Sequence, residues 1–240
     1  MSKEIALQQI RIKDPFWSGM QEKITDTVIP FQERVLNDKE EGVEKSHALD
    51  NFRIAAGLME GEFYGMVFQD SDVAKWLEGV AYSLVIKPDA ALEQRADDII
   101  DIIAKAQQPD GYLSTKQIIA EREGKRDARF ADINDFEVYN FGHLFTAAAL
   151  YKRLTGRDSF LKIAENAADY LDRMYEESAR KGEVKTAVCP SHYMGLLELY
   201  RVTGKKQYLD LARRAIELRD SVKEGMDDNQ DRIPLKDHEK

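Results

Sequence analysis

Apolar residues in this chain recur mostly at three- and four-residue intervals, the spacing of one face of an α-helix. Val73, Trp76, Leu77, Val80 and Leu84 form one such stripe, and Asp70 or Ser71 before it is placed to cap the helix. Pro88-Asp89 opens the next helix, with Leu92, Ala96, Ile99, Ile100 and Ile103 inward. It stops before Pro109-Asp110-Gly111, a strong turn signal. An earlier helix is predicted from Gln21 to Leu36, kinked near Pro30 because proline lacks a backbone donor. A short one is predicted from Asn51 to Met59. Ile5 to Phe16 alternates loosely and reads as an extended arm or edge strand, closed by the Asp14-Pro15 turn.

The second half repeats itself. His143-Leu144-Phe145, Leu150-Tyr151, Thr155-Gly156, Phe160-Leu161 and Ala164 return as His192-Tyr193-Met194, Leu199-Tyr200, Thr203-Gly204, Tyr208-Leu209 and Ala212. The offset is 49 residues before the turn and 48 after it. A period near that length means stacked helical hairpins, each too small to bury its apolar face alone. Both copies are expected to open on a histidine, so His143 and His192 are expected to face one shared site. The charged stretch from Tyr112 to Asp135 reads as a long loop, the length at which loops are often functional. The tail from Gly225 to Lys240 has no packing pattern.

The fold class is therefore all-α, a helical-hairpin toroid. Residues 1–20 are read as the arm and 21–240 as the barrel portion. A closed ring of six hairpins would need roughly 300 residues or more, so the chain is expected to supply little more than half of one. The formal net charge is −9, and no cluster of Lys and Arg could track a phosphate backbone, which argues against nucleic acid as a partner. No run of eighteen apolar residues spans a membrane, and the start lacks the apolar core of a leader. Cys189 is the single cysteine, which fits a reducing compartment, and a cytoplasmic location is expected.

Candidate chemistry is sparse. Asp70 could bind a sugar hydroxyl, although capping explains Asp70, Ser71 and Asp72 as well. Of His47, His143, His192 and His238, only the repeated pair has a placement that suggests a site. No metal-ligand pair of histidines and no second cysteine exist, so no metal site is expected in this chain. Glu137 with Tyr139 could act in acid–base chemistry, but a first-turn glutamate and a core tyrosine explain them more simply. Glycine-rich phosphate loops and Gly-x-Ser-x-Gly are absent.

One block is distinctive: Glu62-Phe63-Tyr64-Gly65-Met66-Val67-Phe68-Gln69-Asp70-Ser71-Asp72-Val73, then Lys75-Trp76-Leu77-Glu78. With Asp14-Pro15-Phe16-Trp17, Ser46-His47-Ala48, Gln107-Gln108-Pro109-Asp110-Gly111-Tyr112-Leu113, Gly142-His143 and Thr203-Gly204, it resembles the N-terminal half of the catalytic domain of glycoside hydrolase family 127, the beta-L-arabinofuranosidases. The resemblance implies part of an (alpha/alpha)6 barrel and a retaining hydrolase of non-reducing furanosides. It also implies a zinc-held cysteine nucleophile and a glutamate acid/base, both supplied by the other half of the barrel. No catalytic residue is therefore expected here, and the chain alone is expected to be inactive. Zinc is expected only in the full-length family enzyme.

The family's sugar-binding histidine after Cys-Pro-Ser matches His192. The one that opens a His-Glu-x-Tyr motif is replaced by Phe136, followed by Glu137, Val138 and Tyr139. An apolar wall there suits a deoxy or branched furanoside better than plain arabinofuranose. The expected substrate-binding residues are His192, His143, Asp70, Tyr139 and Phe136. The expected partners are a plant-derived oligosaccharide and the second half of the barrel, with self-association as a further possibility. The alternative is a non-catalytic half-barrel that binds carbohydrate or a protein.

Overall fold

A computed structural model describes residues 5–125, 129–183, 187, 189 and 191–218; the predicted tail, with His238, lies outside them. The Asp14 carboxylate accepts the Trp17 N–H at 3.0 Å, and Pro15 follows at the first position, where its missing donor costs nothing. Helix α1 (Pro15–Lys23) thus begins six residues before the predicted start at Gln21, inside the expected arm. A π-turn over Ile24–Val28 joins it to α2 (Ile29–Leu36), which places the irregularity just before Pro30. The rest of the arm holds one 3-10 turn, Leu7–Gln9, and no strand occurs among the described residues.

Helix α3 (Ala48–Ala55) starts three residues earlier than predicted. Helix α4 (Gln69–Ile86) follows with Val73, Trp76, Leu77 and Val80 buried, as the periodicity requires. Its cap differs from expectation. Phe68 is the N-cap, with no side-chain acceptor to offer, and the Asp70 carboxylate, in the first turn, accepts from Thr115 instead. Helix α5 (Ala90–Ala106) opens after Pro88-Asp89 as predicted, with Asp89 accepting from the amides of Ala91 and Leu92.

The predicted long loop contains a helix, α6 (Thr115–Arg122). Only Ile118 and Ile119 carry its apolar signal, too few to show against the charged residues, yet both are buried as α6 packs on α3. Arg122 Nη2 donates to the Ala55 carbonyl at 2.6 Å, satisfying the C-terminal end of α3.

The repeat forms two hairpins, α7 (Glu137–Thr155) with α8 (Ser159–Arg180), and α9 (Ser191–Thr203) with α10 (Lys206–Leu218). The likeness extends to hydrogen bonds. Thr155 Oγ1 donates to Tyr151 O at 2.6 Å and Thr203 Oγ1 to Leu199 O at 2.7 Å, and Gly156 and Gly204 take positive φ to end each helix. Phe160 and its counterpart Tyr208 are both fully buried.

Helix α7 lies between α4 and α9, which it contacts most extensively. These three form an inner row, with α5, α8 and α10 outside. Ion pairs tie the outer row together: Arg157 to Glu93 at 3.0 Å, Lys205 to Glu165 at 2.6 Å, and Arg214 to Asp172 at 2.7 Å. The core between the rows is filled by Phe141, Phe145, Tyr151, Phe160, Leu171 and Leu199, each contributing roughly 1.5–3 kcal/mol by leaving water. The architecture is an all-α arc of stacked hairpins, part of an (α/α) barrel.

Candidate functional site

The inner helices run parallel, so their N-terminal ends meet. Asn140 near the start of α7 donates to Val67 O just before α4 at 2.9 Å, and Ser191 at the start of α9 donates to Tyr139 O at 2.9 Å. Glycine permits the second approach. A methyl group on Gly142 would lie 2.4 Å from the His192 nitrogen, so only a bare Cα lets α9 settle there.

At this end, four rings form a chain. Phe136 is held in the left-handed region at φ 59°, the turn that starts α7. Its ring centroid lies 5.9 Å from Phe68 and 5.5 Å from Tyr139, and Tyr139 lies 4.6 Å from His143. Lys75 reaches across from α4. Its Nζ stands 3.1 Å from the Tyr139 hydroxyl, 3.0 Å from Ser71 Oγ and 3.3 Å from Asp72 Oδ1. Burial, with the nearby Lys75 charge, lowers the His143 imidazole to about 4, so it is neutral at pH 7.

The predicted residues divide. Phe136, Tyr139 and His143 are gathered in one cluster, and the start of α9 that carries His192 is bonded to the same turn of α7. His192 is 2% exposed, with its ring 5.0 Å from that of Tyr193. His143 does not open its helix as expected. It sits in the second turn of α7, which begins at Glu137, whereas His192 is the second residue of α9. Tyr139 is half-buried at the cluster and is no core residue.

Asp70 is turned from the cluster. Its carboxylate accepts the Thr115 hydroxyl at 2.6 Å and the Thr115 amide at 2.8 Å, and burial pushes it up to about 6. Glu137 faces inward at 3% exposure, accepting from the Tyr112 hydroxyl and, at 2.7 Å, from the Phe130 amide. Burial raises it to about 7, and it makes no pair with Tyr139. Lys75 escaped the sequence reading. It is quoted in the distinctive block, but nothing in one dimension joins it to a residue 64 positions later.

Asp38, His47 and Asp50 bring potential ligand atoms within 4.8 Å of one another. All three also have protein partners: Asp38 accepts the Ser46 and His47 amides and faces His47 Nδ1 at 3.2 Å, and Asp50 accepts Arg53 at 2.6 Å. Cys189, half-buried, is not part of this group. Zinc held by thiolate does not fit the trio, which closes the turn before α3.

Residues 9–240 match the family described as "Beta-L-arabinofuranosidase, GH127 catalytic domain". The chain is 38% identical over 224 residues to a non-reducing end beta-L-arabinofuranosidase of Bifidobacterium longum subsp. longum, covering 88% of this chain and 34% of that protein. Among solved structures, it resembles a GH127 beta-L-arabinofuranosidase from Geobacillus stearothermophilus T6 at TM-score 0.81 and 45% identity, covering 88% of this chain and 33% of the other. A GH127 beta-arabinofuranosidase superposes at TM-score 0.78 with 28% identity, over 95% of this chain and 36% of that one. The chain thus spans about a third of the length of these relatives. Its hairpin arc and these matches agree: the chain belongs to the GH127 beta-L-arabinofuranosidase family of glycoside hydrolases and corresponds to the N-terminal half of the catalytic barrel.

Proposed function

We propose that this chain forms one wall of the sugar pocket of a retaining glycoside hydrolase. The substrates are non-reducing terminal L-arabinofuranosyl-type, or related branched or deoxy, furanosides of plant polysaccharides. One observation carries the reading: the starts of α4, α7 and α9 converge and gather Phe136, Tyr139 and His143 beside the turn that bears His192. A sugar needs hydroxyl partners and an apolar face, and this set offers a phenol, imidazoles and a phenyl ring. Phe136 supplies a wall without a hydrogen bond, which favours a ring lacking a hydroxyl at that position. Asp70 serves at one remove, holding α6 against α4 through Thr115.

The wall binds and orients; the bond-breaking groups come from outside it. Retention requires a nucleophile and an acid/base on opposite sides of the scissile bond, which the family resemblance implies are a cysteine and a glutamate from the other part of the barrel. Of the described carboxylates, Asp72 adjoins the ring cluster through Lys75, while Asp70 and Glu137 are turned inward. The proposed partner is the remainder of the barrel, which would cover Met194 and Leu197, exposed on α9 at 62% and 40%. Self-association through that apolar edge is the alternative covering. No described helix is long and apolar enough to cross a membrane. The single cysteine supports a cytoplasmic setting.

The test is to titrate the chain with methyl beta-L-arabinofuranoside while following Tyr139, His143 and His192 by NMR, and to assay turnover of the p-nitrophenyl glycoside. Shifts confined to these residues without turnover support the reading. Turnover by the chain alone would overturn its proposed inactivity, and unmoved resonances would remove the pocket assignment.

A further inference from the structure

Donor and acceptor counting around Lys75 leads one step further. An ammonium has three protons and no lone pair, so every bond it makes is a donation. Lys75 Nζ has three oxygen partners: Ser71 Oγ at 3.0 Å, Asp72 Oδ1 at 3.3 Å and the Tyr139 hydroxyl at 3.1 Å. All three protons are used, so Lys75 has none left for a ligand.

The consequence falls on its neighbours. Ser71 Oγ accepts from Lys75 and sends its own proton to Phe68 O at 2.7 Å, which closes that hydroxyl. The Tyr139 oxygen likewise accepts from Lys75, so its proton must point away from the ammonium. Lys75 Nζ thus sits at the hydroxyl end of the Tyr139 ring, 5.3 Å from its centroid, and the ring is also met by His143 at 4.6 Å and Phe136 at 5.5 Å. The phenol is therefore held both in position and in the sense of its hydrogen bond.

We propose that Lys75 is a positioning residue that turns the Tyr139 hydroxyl into a directed donor toward a sugar hydroxyl at the converging helix starts. The assignment rests on the pocket reading above. It predicts that the contacted sugar oxygen acts as an acceptor at Tyr139, and that a donor-only side chain at position 75 is required for tight binding.

The experiment is a double-mutant cycle on the full 240-residue chain, with methyl beta-L-arabinofuranoside as probe and NMR-detected affinity as readout. Lys75→Met is expected to weaken binding about tenfold, the loss of one directed hydrogen bond. Lys75→Arg, also donor-only, restores most of it. In a Tyr139→Phe background, Lys75→Met is expected to add nothing, because the proton it directs is already gone. Equal weakening in both backgrounds, or none in either, overturns the role of Lys75 while leaving the pocket intact. A wild-type Tyr139 resonance that the probe does not move, up to its solubility limit, overturns the pocket and this proposal together. Should Lys75→Met not fold, Lys75→Gln, one atom shorter and able to accept as well as donate, replaces it, and the same loss is expected of it.

Discussion

The carbonyl oxygen of Gly142 occupies the space where Gly195 would carry a side chain: a methyl group there would lie 2.4 Å from it and 2.8 Å from Phe145 Cβ. Backbone meets backbone, so neither side can yield by a rotamer change. Gly195→Ala is expected to destabilise the chain by roughly 1–3 kcal/mol through overpacking. It should also spread α7 from α9 and weaken sugar binding. Urea denaturation reads the first effect and the NMR titration the second. An alanine variant as stable as the parent would mean the two helices are not packed this tightly.

Glu137 gives the chain an unusual acid response. Its folded-state carboxyl sits at about 7, above its ordinary value near 4.5, because burial disfavours the charged form. The folded state therefore holds a proton that the unfolded state has lost between those values. Stability from this group is fully present below about 4.5 and declines as pH rises toward 7. Glu137→Gln removes the decline and is expected to gain, relative to the parent, on the order of 2 kcal/mol between pH 5 and pH 8. Parallel stability profiles for the two proteins would show that the carboxyl titrates normally.

His143 responds in the opposite sense. Burial and Lys75 hold its imidazole near 4, below the ordinary 6.5, so it stays neutral in the fold while the unfolded chain takes up a proton. Its contribution to stability is present above about 6.5 and is lost as pH falls toward 4. Sugar affinity should be flat from pH 8 to pH 5, and the His143 ring signals should titrate near 4. A titration midpoint close to 6.5 would contradict the buried, lysine-flanked environment.

Phe136 stands at the left-handed turn into α7, a conformation that histidine tolerates better than phenylalanine does. Phe136→His is thus expected to keep the fold and to add a hydrogen-bonding group to the wall. Affinity for methyl beta-L-arabinofuranoside should rise severalfold relative to a deoxy analogue. Unchanged preference between the two sugars would show that position 136 does not face the ring.

The sequence by itself determined most of the helices and the stacking of the repeat hairpins. Periodicity marked α4, α5 and the two repeat hairpins, because a surface helix must bury one stripe of its circumference. The Thr-Gly endings of α7 and α9 were legible for the same local reason, since each hydroxyl and each positive φ acts within four residues. Where the local signal was thin, tertiary contact decided. Helix α6 exists because Ile118 and Ile119 find α3. Asp70 does not cap α4 and accepts instead from two donors of Thr115, 45 residues away. The partition of Glu137 inward and Tyr139 outward, and the bond from Lys75 to Tyr139, were invisible in one dimension. A side chain's partner across a helix interface depends on how two helices rotate against each other. Between α7 and α9 it is the bare Cα atoms of Gly142 and Gly195 that allow the close approach.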